Sequence, residues 1–147
     1  MTTIRLLQPS DRAAWEPLWQ GYQRFYEVAI PAATTELTWS RFHNPAEPMH
    51  AFGAFDETGR LVGIVHAIFH RSTWFPEWTC YLQDLYVEAD QRGLGTGAAL
   101  IDRVADLARE HGAGRLYWMT HETNERARRL YDQVAQRSGF IQYRKQL

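Results

Sequence analysis

Apolar spacing divides this chain into alternating strand-like and helix-like segments. Thr3-Ile4-Arg5-Leu6-Leu7-Gln8 reads as a short opening strand. Pro9-Ser10-Asp11 then marks a helix start, with Ser10 or Asp11 as its cap. Trp15, Leu18, Trp19, Tyr22 and Tyr26 recur at helical spacing, so one face of the first helix is aromatic. Trp15, Leu18 and Trp19 are expected in the core. Tyr22, Tyr26 and Glu27 lie at the helix end before the Ile30-Pro31 break and suit either packing or the mouth of a substrate site. Residues Thr34 to Phe42 predict a second, shorter helix carrying Leu37, Trp39 and Phe42. His50 to Phe55 and Leu61 to Phe69 are β-like runs joined by Asp56-Glu57-Thr58-Gly59, which predicts an antiparallel hairpin.

Ser72 to Trp78 reads as an irregular aromatic loop leading into a strand that ends at Val87. A glycine-rich turn, Gln91 to Ala98, opens a helix whose inner face is Leu100, Ile101, Val104 and Ala108 and which closes near His111-Gly112. Arg115 to Thr120 is the next expected strand. Strand, helix, strand in that order implies a parallel pair with a right-handed crossover. Asn124 to Ser138 predicts a last helix with Ala127, Leu130, Tyr131 and Val134 on one face, Gly139 as its C′ residue, and Phe140-Ile141-Gln142-Tyr143 as a closing strand. The expectation is one α/β domain with a mixed sheet, spanning residues 1–147.

Composition narrows the class. At 147 residues with 45% apolar content, six Trp, seven Tyr and seven Phe, the chain can form a core without staples. No run of about 18 apolar residues suggests a membrane span. The Met-Thr-Thr-Ile-Arg start lacks the apolar centre of a signal peptide, and Cys80 is the one cysteine. A cytoplasmic protein is expected. A net charge of −1 gives no support to nucleic-acid binding, which wants a basic face. His66 and His70 are about 13 Å apart along a strand, too far to share one ion, so no metal is expected and His66 reads as a buried, hydrogen-bonded histidine.

The turn Gln91-Arg92-Gly93-Leu94-Gly95-Thr96-Gly97-Ala98 joins a strand to a helix, an arrangement suited to anionic phosphate. Glycines permit close backbone approach, helix N–H groups point at the ligand, and Arg92 adds fixed positive charge. The same turn equally serves geometry alone. A Walker loop is excluded because no Lys occurs in the stretch, and a dinucleotide fingerprint lacks its acid on the strand Arg115-Leu116-Tyr117-Trp118-Met119.

Two motifs together carry a resemblance. Arg92-Gly93-Leu94-Gly95-Thr96-Gly97 resembles the coenzyme A pyrophosphate loop of the GCN5-related N-acetyltransferases. Asn124-Glu125-Arg126-Ala127-Arg128-Arg129-Leu130-Tyr131, followed by Ser138-Gly139-Phe140, is similar to that family's Asn-x-x-Ala-x-x-Leu-Tyr…Gly-Phe segment. The longer pattern from His121 to Phe140 looks most like histone and polyamine acetyltransferases. One departure stands out: diamine enzymes carry Glu-Asp where this chain has Gln83-Asp84.

The resemblance implies a mostly antiparallel central sheet with a parallel βαβ unit and flanking helices. It implies direct transfer of the acetyl group of acetyl-CoA to a primary amine, and a homodimer. The pyrophosphate would lie over Arg92, Gly93, Leu94, Gly95, Thr96, Gly97 and Ala98, and the pantetheine amides would pair with Leu85, Tyr86 and Val87. Asn124 carries over as a coenzyme contact, alongside its local reading as a helix cap. Tyr131 carries over as the general acid for the leaving thiolate, although its spacing also fits a core position. An alkyl ammonium with pKa near 10.4 must lose a proton before it attacks. Asp84 is the first candidate base, acting through water, or else a structural carboxylate; His121 and Glu122 stand behind it. Tyr22, Tyr26, Glu27, Gln83, His121 and Glu122 are candidate acceptor contacts. The acceptor is expected to be a small amine such as a polyamine or amino acid, with a protein lysine or N-terminus, or a non-catalytic acyl-CoA sensor, as alternatives.

Overall fold

The computed structural model describes residues Met1–Leu147. Five strands form one sheet in chain order: β1 (Thr3–Leu6), β2 (Met49–Phe55), β3 (Leu61–His70), β4 (Trp78–Val87) and β5 (Ala113–Tyr117). The first four pair antiparallel, and β4 and β5 pair in parallel. The helices are α1 (Arg12–Phe25), α2 (Ala32–Phe42), α3 (Thr96–Glu110) and α4 (Glu125–Val134). The mixed sheet, its parallel unit and the flanking helices match the expected architecture.

Local chemistry explains the main boundaries. Asp11 receives the Gln8 backbone N–H at 2.7 Å and the Arg5 guanidinium, so the chain turns from β1 into a 3₁₀ turn and then α1. In the β2–β3 turn, Asp56 accepts the backbone N–H groups of Thr58 and Arg60, which closes the hairpin. Gln23 holds the α1–α2 connection: its amide donates to the Trp19 carbonyl and accepts the Ile30 N–H.

Helices cover both faces of the sheet, which is why β3 is buried almost along its whole length. Against one face, Leu100, Ile101, Val104 and Leu107 of α3 pack on Phe52, Val65, Ala67 and Leu82. Burying those four α3 side chains contributes on the order of 10 kcal/mol before entropy is counted. Against the other face, Trp15, Leu18 and Trp19 of α1 and Trp39 of α2 pack on Ala51, Phe55 and Ile64.

Two expectations fail at the carboxyl end. The last helix stops at Val134 rather than Ser138, with Ala135 already extended, so Gly139 lies beyond the helix end. Phe140 to Tyr143 makes no strand; Phe140 is 77%, Ile141 76% and Tyr143 89% exposed. Alternating apolar residues supply a tendency to extend, but a strand needs a hydrogen-bonded neighbour, and none pairs with this segment within the chain. The fifth strand is also set earlier than the expected Arg115–Thr120, leaving Trp118 to Thr120 in the connection to α4.

Candidate active site

The sheet comes apart between β4 and β5. Pairing runs from Trp78–Ala113 to Tyr81–Tyr117 and then stops, while β4 continues to Val87. One edge of Leu82–Val87 is therefore without a strand partner, although its other edge stays paired with β3. An open edge of this kind can accept an extended amide-bearing ligand as an added strand. Leu85, Tyr86 and Val87, the expected pantetheine contacts, lie on it.

At the far end of that edge comes the glycine turn. Gly93 and Gly95 have φ of +81° and +84°, and a Cβ at either would meet nothing within 4 Å. Their role is backbone conformation rather than space. Gly95 is the N-cap of α3, and Thr96, Gly97 and Ala98 are its first residues, where helical N–H groups lack carbonyl partners. Arg92 donates through Nε to the Val87 carbonyl at 2.9 Å, which ties the turn to the strand and leaves the outer guanidinium nitrogens for an anion. These residues fit a pyrophosphate.

A β-bulge shapes the middle of β4. His66 pairs with Asp84 but the next residue, Ala67, pairs with Leu82, so Gln83 is the extra residue. Strict alternation would put Tyr81 and Asp84 on opposite faces; the bulge returns both to the face covered by α1. Asp84 is only 7% exposed. Its Oδ2 lies 2.8 Å from His66 Nδ1, and His66 Nε2 receives the Trp15 indole N–H at 3.0 Å. The Tyr22 phenol lies beside Asp84. Burial first, and the neighbouring Asp84 charge next, push the Tyr22 pKa far above its ordinary value. Tyr26 and Tyr81 are raised too, chiefly by burial with a contribution from Asp84. The result is one buried carboxylate within a cluster of phenols. The fit is close: a Cβ at Gly21 of α1 would fall 2.6 Å from the Tyr86 hydroxyl.

The other side of the split is built by α4. Tyr131 is part-buried, packs edge-on against Trp118 at 5.5 Å, and has its pKa pushed up to about 12 by burial and then by Tyr26. It therefore keeps its proton at neutral pH, as a proton donor must. Asn124 occupies the N-cap position of α4 without capping it; its amide instead donates to Thr120 Oγ1 at 3.2 Å. Tyr26 lies beside Thr120, and its ring centroid is 5.6 Å from that of His121. The end of α1 and the loop before α4 thus meet. His121, Glu122, Gln83 and Glu27 are exposed, and Glu27 adopts a left-handed φ of 55°.

His66 is buried and hydrogen-bonded as expected, but the sequence alone does not show its tie to Asp84, nor the contributions of Trp15, Tyr81 and Thr120. The β3–β4 register would have revealed the His66–Asp84 pair, yet it depends on a bulge with no sequence signal. Cys80 is buried and its thiol is pushed up to about 12, so it is no nucleophile at neutral pH. A cavity of about 510 Å³ lies apart from these residues, under the α2–β2 connection between Phe42 and His50.

Residues 15–135 match the model of the acetyltransferase (GNAT) family. The chain belongs to the GNAT family. It is a GNAT N-acetyltransferase, and enzymes of this family use acetyl-CoA as co-substrate. The D-amino-acid N-acetyltransferase HPA3 of Saccharomyces cerevisiae is 35% identical over 143 residues, covering 97% of this chain and 89% of the yeast protein. The thialysine N-epsilon-acetyltransferase of Bos taurus is 37% identical over 71 residues, covering 48% of this chain and 41% of the bovine one. Among solved structures, a ribosomal-protein-alanine N-acetyltransferase from Brucella melitensis biovar Abortus 2308 superposes with a TM-score of 0.78 at 27% identity, over 100% of both chains.

The positive φ at Gly95 gives a direct test of the GNAT loop. Gly95→Ala forces a left-handed alanine at a cost of about 1–2 kcal/mol. We expect the KM for acetyl-CoA to rise at least about tenfold, one power of ten being 1.4 kcal/mol. Gly59→Ala, at φ +85° in the distant β2–β3 turn, is the control. It should lower thermal stability similarly and leave KM unchanged.

Proposed function

We propose that this enzyme acetylates the amine of a small molecule by direct transfer from acetyl-CoA, with an amino acid as the favoured acceptor. The observation that carries this reading is Asp84, a buried carboxylate ringed by Tyr22, Tyr26 and Tyr81 beside the split in the sheet. A carboxylate with phenols around it suits a single ammonium group. Asp84 takes the ammonium proton through water. The amine nitrogen bonds to the thioester carbon, the C–S bond breaks, and the Tyr131 hydroxyl gives its proton to the departing thiolate; the second proton lost by the nitrogen passes through water to restore the Tyr131 phenol. Leu85, Tyr86 and Val87 hold the pantetheine arm; Arg92, Gly93, Leu94, Gly95, Thr96, Gly97 and Ala98 hold the pyrophosphate; Asn124 contacts the coenzyme.

Several features support an amino acid over a polyamine. A polyamine carries at least two ammonium groups, and the residue beside Asp84 is Gln83 rather than a second carboxylate. A relative that matches nearly the whole chain at 35% identity is named for D-amino acids, whereas the thialysine relatives match about half of it. The histone- and polyamine-type pattern of the α4 motif thus describes a broader group than the acceptor.

Release of free thiol from acetyl-CoA, measured against D- and L-amino acids, thialysine, polyamines and an alanine-terminated peptide, tests the proposal. Turnover with amino acids is expected. Turnover with the peptide alone would assign the enzyme to protein N-termini, and saturable acetyl-CoA binding without turnover would favour a sensor. Tyr131→Phe should lower kcat about 10²- to 10⁴-fold with little change in coenzyme affinity; unchanged kcat would return Tyr131 to packing alone.

We also propose a homodimer. Phe140, Ile141 and Tyr143 are exposed on a segment with strand-like alternation, and the outer edge of β5 has no strand beside it. A second copy supplies what each of these lacks, because the chain carries both a bare edge and a spare strand. Light scattering after size exclusion should give a dimer for the full chain and a monomer for Ile141→Asp. A monomeric full chain at micromolar concentration would refute this arrangement.

A further inference from the structure

We infer that His66, its ring locked by Trp15, is a positioning residue that aims Asp84 at the acceptor amine. The inference rests on the reading of Asp84 as the group that takes the ammonium proton. Trp15 Nε1 can only donate, so the His66 Nε2 atom 3.0 Å away must accept. The ring proton is thereby fixed on Nδ1, which donates to Asp84 Oδ2 at 2.8 Å. Trp15 is fully buried and His66 2% exposed, so water does not compete for either bond. The rings of Trp19 and Phe42, with centroids 5.1 and 4.7 Å from that of His66, hold it from other sides.

The backbone reinforces this geometry. His66 and Asp84 stand directly opposite in the β3–β4 register, at the last pair before the bulge. A carboxylate beside a bulge would otherwise be free to rotate about its terminal bond. The groups that face Asp84 are Tyr22 and Tyr26 from α1, His66 from β3 and Tyr81 from β4; none is a lysine or arginine. With Oδ2 committed to His66, the remaining lone pairs are those left for amine or water.

The same bonding defines what His66 does not do. Its Nδ1 already carries a proton and its Nε2 faces a donor with no acceptor capacity, so no proton can pass from Asp84 through His66 to Trp15. The proton collected by Asp84 must leave to water on the open side. Retaining a buried carboxylate and histidine where an apolar pair of similar shape would pack without desolvation points to function rather than stability.

A double-mutant cycle in the thiol-release assay tests this. His66→Leu should lower kcat on the order of 10- to 100-fold through misplacement of Asp84, with the KM for acetyl-CoA unchanged. His66→Asn, whose amide can still reach Asp84, should recover most of that loss. In the Asp84→Asn background, His66→Leu should cost nothing further. Trp15→Phe, which keeps the ring and removes the indole donor, should show a smaller loss of the same kind and covers the case in which His66→Leu fails to fold. Equal losses from His66→Leu in both backgrounds, or full activity of His66→Leu and Trp15→Phe alongside an impaired Asp84→Asn, would overturn the inference alone. Full activity of Asp84→Asn would overturn both the inference and the role given to Asp84.

Discussion

The loss of pairing between β4 and β5 after Tyr81 is the constraint from which the site follows. Two parallel strands held together by the α3 crossover would ordinarily continue side by side; here β4 runs on for six residues without β5, paired on its β3 side only. Unpaired amides and carbonyls within a fold are costly, at about 1–3 kcal/mol for each one buried without a partner. An extended acyl carrier bearing amides can satisfy them, and in the proposed binding mode the glycine turn at the end of the same edge meets its phosphates. The coenzyme slot of that proposed mode is a consequence of where one ladder of hydrogen bonds stops.

The second element is the charge placed beside that slot. Burying a carboxylate costs several kcal/mol, and hydrogen bonds to a charged group return about 1.5–3 kcal/mol each. The bond from His66 returns part of that cost and holds Asp84 in place without a cationic partner. With no paired cation, the carboxylate is free to meet the ammonium of the proposed acceptor. The aromatic stripe of α1 serves both ends of this arrangement. Trp15 and Trp19 anchor the core, and Tyr22 and Tyr26, one and two turns further on, reach the site.

Sequence patterns revealed most of the fold because both helix faces and strand runs are strongly apolar: the α3 stripe, the β2–β3 hairpin and the strand–turn–helix order all form as expected. The glycine turn and Tyr131 were legible as motifs. What was not legible depends on register. The bulge at Gln83 leaves no compositional mark, yet it decides that Asp84 faces α1 and meets His66 and Tyr22. The carboxyl-terminal segment shows the opposite limit. Phe140-Ile141-Gln142-Tyr143 has a strand's alternation, but alternation specifies a tendency and not a partner, and the chain alone supplies none.

The central claim is that acetyl-CoA binds along the free edge of β4 and over the start of α3. Amide hydrogen exchange with and without acetyl-CoA tests it most directly, since it reads backbone protection residue by residue. The account predicts new protection at those amides of Leu82–Val87 that face away from β3 and at Gly95–Ala98. Protection confined to other segments, such as Phe42–His50 around the large cavity, with Leu82–Val87 unchanged at saturating coenzyme, would contradict it.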